Sequence, residues 1–135
     1  MRVGIIGSGN IASQMAATIN RVDGVELYAV ASRTEPKAKD FAEKFGASCY
    51  YGNYEDLAND KNVDLVYIAT PHATHYENTM LCLRHGKAVL CEKPFTLNYS
   101  QAESLIQYAE ENKIFLRKRE GMLFASIENV EFTFG

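Results

Sequence analysis

The sequence has little cysteine and no long hydrophobic run. Three cysteines among 135 residues, with no close pair, predict reduced thiols and neither a disulfide framework nor a zinc site. No apolar stretch approaches the roughly 20 residues that a membrane-spanning helix needs. The first residues also lack the charged leader and apolar segment of a secretory signal peptide. These absences predict a cytoplasmic protein that spans no membrane and holds no metal ion.

Clustered positive charge is absent as well. The net charge is −3 with the two signs mixed along the chain, whereas a nucleic-acid or anionic-membrane surface needs a basic excess on one face. The exception is the run RKRE at residues 117–120, which we expect to be a solvated loop. Hydrophobic residues make up 47% of the chain and charged residues 23%, as in an ordinary globular protein, and the length favours one domain.

Short apolar runs alternate with longer segments of helical period. RVGIIG and VDLVYIAT predict buried strands. NIASQMAATIN predicts a helix whose apolar face holds Ile11, Met15 and Ile19, with Ala12 and Ala16 beside them. Strands that alternate with helices imply parallel pairing and right-handed crossovers. We therefore predict an α/β fold of three layers around a doubly wound parallel sheet, ending in the strand KIFLR.

The segment GSGNIA has the spacing of a phosphate-binding loop. Gly7 permits a tight turn, Gly9 lets the backbone approach a pyrophosphate, and Ala12 is small enough for helix and strand to touch. The helix that follows offers unpaired N–H groups and a partial positive charge. Because the motif follows a strand and opens a helix, it predicts dinucleotide binding. The alternative is a glycine-rich turn without a ligand.

The end of the second strand, ASRTEP, bears on the choice of cofactor. An NAD site usually has an acid here that binds the ribose 2′-hydroxyl, but this chain has Ser32 and Arg33 and no acid before Glu35. A guanidinium can pair with a 2′-phosphate, and the serine can donate to it. We therefore expect NADP(H) to be preferred and leave NAD(H) open. Arg33 as a merely solvated cation is the alternative.

Two further motifs follow later strands. In ATPHATHYE, Pro71 ends the strand and places His72 and His75 at the carboxyl edge, where open α/β sheets bind ligands. In CEKP, Lys93 either pairs with Glu92 in solvent or passes a proton to a substrate oxygen as hydride moves. His85, just before a glycine, is interpreted as a helix cap without chemistry.

Together GIIGSGNIA, ATPHATH and HGKAVLCEKP resemble the glucose–fructose oxidoreductase, inositol dehydrogenase and MocA family over about residues 2–116. EKPFTLN and NKIFL are similar to the branch with dimeric dihydrodiol dehydrogenase and xylose dehydrogenases. The resemblance implies a Rossmann fold and reversible hydride transfer between a nicotinamide and the carbinol carbon of a sugar, polyol or diol.

The resemblance also assigns roles to individual positions. The pyrophosphate loop corresponds to Gly7, Gly9, Asn10, Ile11 and Ala12. The adenosine ribose or its 2′-phosphate corresponds to Ser32 and Arg33. The loop beside the nicotinamide corresponds to Thr70, Pro71, His72 and His75. The E-K-P motif corresponds to Glu92, Lys93 and Pro94, with the glutamate near the nicotinamide ribose and the lysine as the catalytic residue.

Members of this family carry a second, mainly antiparallel α+β domain that forms much of the substrate site, and we expect it to be essentially absent here. We predict a cofactor domain over residues 1–120 and, over 121–135, a remnant resembling the first strand of that second domain. Val130, Phe132 and Phe134 alternate there with polar residues. This strand is expected to pack on the first domain, to pair with another copy of the chain, or to be disordered.

Three functions remain open from the sequence. The first is an NADP(H)- or NAD(H)-dependent oxidoreductase reduced to its cofactor domain, weakly active or inactive alone. The second is a non-catalytic dinucleotide-binding module. The third is an oligomerisation unit without a ligand, against which the glycine loop speaks.

Overall fold

The computed structural model describes residues 1–70, 74–92, 99–112, 115–119 and 122–126, with the main chain alone in the last two segments and at a few helix and strand positions. The elements in chain order are β1 (Arg2–Ile6), α1 (Asn10–Ile19), β2 (Glu26–Ala31), α2 (Glu35–Phe45), β3 (Cys49–Tyr51), α3 (Tyr54–Ala58), β4 (Leu65–Ile68), α4 (His75–Arg84), β5 (Ala88–Glu92), α5 (Tyr99–Glu111), β6 (Phe115–Arg119) and β7 (Met122–Ser126).

The strands form one sheet in the order β3-β2-β1-β4-β5-β7-β6. The first five of these are parallel, and a helix lies between each of them and the next along the chain. From β1 the chain builds outward to β2 and β3, then returns to add β4 and β5 on the other side. The predicted doubly wound α/β fold is confirmed.

Two apolar clusters cover the two faces of the sheet. One cluster contains α1 and α2 residues, such as Ala16 and Phe41, packed on alternate strand residues such as Ile5 and Tyr67. The other cluster contains residues of α3 and α4 packed on the intervening strand residues, such as Ile6. Because parallel strands are covered by helices on both faces, their side chains are apolar in both directions. Successive residues of each central strand thus pack against helices on opposite faces, which produces the three layers.

The apolar face of α1 differs from the one predicted at Ile11. Ala12, Ala16 and Ile19 are buried, Met15 is half-buried, and Ile11 is 45% exposed. Residues spaced by four drift around a helix of 3.6 residues per turn, so Ile11 lies about 80° away from Ile19. The prediction that Ile11 faces the core was wrong, and its side chain lies open beside the glycine loop.

The two last described strands form a hairpin that the sequence did not predict correctly. β6 pairs antiparallel with β7, and β7 pairs antiparallel with β5. The strand predicted as KIFLR exists, but β7 separates it from β5. The RKR residues lie in β6 and not in a loop, because an edge strand tolerates charged residues that a central strand excludes. The predicted domain boundary at residue 120 stays a prediction. Residues 122–126, which lie beyond it, form β7 of the same sheet.

The C-terminal alternation of Val130, Phe132 and Phe134 lies outside the described residues.

His85 caps α4 as predicted, since its ring nitrogen Nδ1 lies 2.9 Å from the Leu81 carbonyl oxygen. Within the described part of the chain, no helix combines the length and the apolar character needed to cross a membrane.

Candidate cofactor-binding site

The strand register gathers four chain segments at one edge of the sheet. Ile6 of β1 lies opposite Ala31 and Ile68, and Ile68 lies opposite Cys91. The residues that follow these strand positions, and so share the carboxyl edge, are Gly7, Ser32, Ala69 and Glu92. The strand order reverses between β1 and β4, which is where open α/β sheets bind their ligands. Gly7, Ser32 and Glu92, which belong to different predicted motifs, therefore lie at one edge of the sheet.

Gly7 makes the tight turn at the end of β1. Its φ is +117°, and an added β-carbon would lie 2.6 Å from the carbonyl oxygen of Ala69. Its N–H donates a hydrogen bond of 2.9 Å to the Ala31 carbonyl. Gly7 thus allows the loop to pass directly over the neighbouring strand ends, as the motif predicted.

Gly9 plays a different part in the same loop. It is the N-cap of α1 with a φ of −85°, which any residue can adopt, and a β-carbon there would meet nothing within 4 Å. The loop therefore leaves open space directly above the first turn of α1. The first N–H groups of a helix have no acceptor within the helix and carry partial positive charge. An open cradle over such groups fits a pyrophosphate, whereas Ala12 behind it is fully buried against the sheet.

The end of β2 is tied to the glycine loop. The Ser8 and Ser32 hydroxyl oxygens lie 3.1 Å apart, and the Ser32 N–H donates to the Tyr51 carbonyl. Ser32 is buried while Arg33 is exposed. Among the described residues, none forms a hydrogen bond or ion pair with the Arg33 guanidinium. The end of β2 therefore offers the buried hydroxyl of Ser32 and an exposed Arg33 guanidinium that has no partner among the described residues.

Just after β4, the Thr70 side chain is held in place by α4. The Asn78 side chain of α4 donates a hydrogen bond of 2.8 Å to the Thr70 hydroxyl, and both residues are buried. The Ala69 N–H donates to the Ile6 carbonyl at 2.8 Å. The segment after β4 is thereby fixed to both β1 and α4.

The structure reaches only part of the predicted nicotinamide half. Pro71, His72, Lys93 and Pro94 lie outside the described residues. His75 begins α4 and Glu92 ends β5, and of these two the main chain alone is described. Gly7, Gly9, Asn10, Ile11, Ala12, Ser32, Arg33 and Thr70 all lie in the described part, at the carboxyl edge or in the first turn of α1.

Clearly shifted pKa values occur away from the glycine loop. Burial raises the pKa of the Cys82 thiol to about 12, against a smaller opposing effect of Lys87. The hydrogen bond of 2.6 Å that Tyr51 donates to the Asp60 carboxylate raises the pKa of that phenol. Both shifts favour the neutral forms of the thiol and the phenol. Within the described ranges, the electrostatics of the candidate site therefore come from Arg33 and the start of α1.

Two residues of the cleft were missed from the sequence. Ser8 occupies a variable position of the motif, and only its place between two glycines pointed to the ligand side. Asn78 carries no sequence signal, because its role depends on a contact between α4 and the end of β4.

Comparison with known proteins identifies the family. Residues 1–118 match the family described as an oxidoreductase family with an NAD-binding Rossmann fold. The chain belongs to this family. It is 40% identical over 118 residues to trans-1,2-dihydrobenzene-1,2-diol dehydrogenase of Mus musculus, covering 86% of this chain and 35% of that protein. It is 41% identical over 128 residues to D-xylose 1-dehydrogenase (NADP(+)) of Hypocrea jecorina, covering 86% and 33%.

Solved structures of oxidoreductases superpose on this chain as well. KijD10, a 3-ketoreductase from Actinomadura kijaniata crystallised with TDP-benzene and NADP, superposes with a TM-score of 0.74 at 38% identity, over 82% of this chain and 35% of that one. A probable dehydrogenase from Thermotoga maritima gives 0.76 at 32% identity, over 82% and 33%. This oxidoreductase-family chain therefore spans about a third of the length of the relatives it matches.

Proposed function

We propose that the chain binds NADP(H) across the carboxyl edge between β1 and β4 and serves as the cofactor-binding part of an oxidoreductase. The observation that carries this proposal is the open cradle at Gly9, above the first turn of α1 and beside Ser32 and Arg33. The exposed side chain of Ile11 beside the cradle gains cover when a ligand binds, since exposed apolar area is unfavourable.

Fluorescence titration with NADPH and NADH tests the binding. The sharpest variant is Gly9→Asp, because aspartate is a favourable N-cap for α1 yet places volume and negative charge in the cradle. We expect Gly9→Asp to keep its thermal stability and to lose affinity for both nucleotides by about 100-fold or more. Ser48→Asp, which adds the same charge at an exposed position before β3, is the control and should retain wild-type affinity. Unchanged binding by Gly9→Asp would refute the cradle.

The preference for NADP(H) rests on the absence of an acid at the end of β2. Arg33 is exposed and Ser32 supplies a hydroxyl, so the position offers donors to an anion and no carboxylate to a ribose hydroxyl. Hydrogen bonds to charged groups contribute about 1.5–3 kcal/mol. Arg33→Ala should therefore weaken NADPH binding by about 10-fold or more and leave NADH within about twofold. Arg21→Ala, at an exposed position after α1, is the control.

The proposed reaction is reversible hydride transfer with a carbinol carbon of a sugar, polyol or diol. When bound, the nicotinamide ring supplies or accepts the hydride. Lys93, assigned by its match to the E-K-P motif, passes a proton to or from the substrate oxygen. The diol and xylose dehydrogenases named above support this substrate class.

A panel of aldoses and diols, assayed with NADP⁺ and NADPH, tests the chemistry. Lys93→Ala should abolish turnover and leave the nucleotide affinity within about twofold. Turnover that survives Lys93→Ala would refute the role of the lysine. Saturable binding without turnover of any substrate would favour the second candidate, a non-catalytic dinucleotide-binding module. The three free thiols support the further proposal of a cytoplasmic location.

A further inference from the structure

Ser8 lies between the two loop glycines and contacts the end of the next strand. Its hydroxyl oxygen is 3.1 Å from that of Ser32, across 24 positions of sequence. Ser32 is 4% exposed, and its N–H is already bonded to the Tyr51 carbonyl. The main chain at Ser32 is thus fixed, and Ser8 is the described side chain that orients its hydroxyl.

The two hydroxyls together have one donor to spare. Each carries a single hydrogen, and their mutual bond uses one of the two. Within the described part of the chain, neither hydroxyl has another hydrogen-bond partner. The pair therefore retains one O–H for an outside acceptor at the carboxyl edge, next to the Arg33 guanidinium.

We infer that Ser8 is a specificity-determining residue that orients the Ser32 hydroxyl toward a phosphate monoester oxygen of the cofactor. The inference rests on the proposed binding of NADP(H). A hydroxyl forms a stronger hydrogen bond with an anionic oxygen than with a neutral one. Ser8 therefore favours the phosphorylated dinucleotide without itself belonging to the end of β2.

A double-mutant cycle tests this role. The dissociation constants of NADPH and NADH are measured for the wild type, Ser8→Ala, Ser32→Ala and the double variant. We expect Ser8→Ala to weaken NADPH by about 3–10-fold and to change NADH by less than twofold. In the Ser32→Ala background, Ser8→Ala should alter NADPH affinity by less than twofold, because the hydroxyl it orients is gone. Ser48→Ala, an exposed serine before β3, should change neither constant.

Other outcomes overturn the inference in distinguishable ways. Equal losses for both nucleotides would mean that Ser8 serves the pyrophosphate loop, and additive losses in the cycle would mean that the two serines act independently. Either result leaves the proposed function standing. If the folded wild type binds neither nucleotide, both proposals fail. Thermal denaturation of each variant, with Ser8→Gly as a second substitution, separates a loss of fold from a loss of contact.

Discussion

The side-chain nitrogen of Lys87 donates a hydrogen bond of 2.9 Å to the main-chain carbonyl of Val63, and a second one to the carbonyl of Asp60. Lys87 is only 8% exposed and lies just before β5, at the edge of the sheet opposite to the glycine loop. Burial lowers its pKa, against opposing effects of Asp60 and Asp64. This lysine joins the loop after α3 to the turn after α4.

Replacing Lys87 with methionine should destabilise the fold without altering the glycine loop at the opposite edge of the sheet. The variant removes a charged donor from two carbonyl groups, at least one of them buried, which costs on the order of 1–3 kcal/mol. Urea denaturation measures the loss. Lys61→Met, at an exposed lysine of the same loop, should stay within about 0.5 kcal/mol of the wild type. An unchanged unfolding free energy for Lys87→Met would show that the two hydrogen bonds of Lys87 do not stabilise the fold.

Cys82 should make the protein sensitive to alkali. Its pKa rises from the ordinary 9.0 to about 12 because the thiol is buried. Above pH 9 the unfolded chain releases this proton while the folded chain keeps it, so stability is lost as pH rises from about 9 to 12. One proton corresponds to a slope of about 1.4 kcal/mol per pH unit.

Unfolding free energies between pH 8 and 11 measure that slope. Cys82→Ala should unfold more easily than the wild type near pH 8, because it leaves a cavity, and it should show a shallower alkaline decline. Comparing slopes isolates Cys82 from Tyr51, whose raised pKa acts in the same direction in both proteins. Identical slopes in the two proteins would refute the assignment to Cys82.

The sequence predicted the parallel core and the glycine loop because both are encoded locally. Each central strand is an apolar run between two helical segments, and the motif spacing itself places Gly7 and Gly9 at a strand end. The β6–β7 hairpin was not predictable in this way. Its pairing with β5 is a long-range contact, and the charged residues of β6 have low strand propensity outside an edge.

In the candidate site, too, the sequence predicts what is encoded locally and misses what depends on long-range contacts. Ser32 and Arg33 were predicted because the position after the second strand has a known role in dinucleotide binding. The bond between Ser8 and Ser32, and the bond between Asn78 and Thr70, join residues whose distance is set by the folded sheet. The position of Ile11 was wrongly predicted because a spacing of four residues exceeds one helical turn by about 40°, and the excess accumulates over two such steps.

Gly7→Ala should cost more stability than alanine at another glycine of positive φ. At Gly7 the new β-carbon would meet the Ala69 carbonyl oxygen at 2.6 Å, in addition to the strain of a φ of +117°. At Gly46 the φ is +78° and a β-carbon would meet nothing within 4 Å, so the cost there is the backbone strain alone, about 1–2 kcal/mol. Chemical denaturation should rank Gly7→Ala as the more destabilising by at least about 1 kcal/mol. Equal losses would show that the loop moves away from Ala69 freely.

Thr79 offers a substitution that should stabilise the protein. Its side chain is fully buried on α4, and its hydroxyl has no hydrogen-bond partner in the described part of the chain. Thr79→Val replaces that hydroxyl with a methyl group of similar shape and removes an uncompensated polar group, which should raise the unfolding free energy by about 1 kcal/mol.

The matched control is Thr18→Val on α1, where the threonine hydroxyl donates a hydrogen bond of 2.9 Å to the Gln14 carbonyl near the surface. The helix propensities of valine and threonine are close, so backbone effects are similar at the two sites. We expect Thr18→Val to be neutral or slightly destabilising in thermal and urea denaturation. A loss of about 1 kcal/mol in Thr79→Val would mean that the buried hydroxyl makes a stabilising hydrogen bond, in addition to the one between Asn78 and Thr70 that already joins α4 to the end of β4.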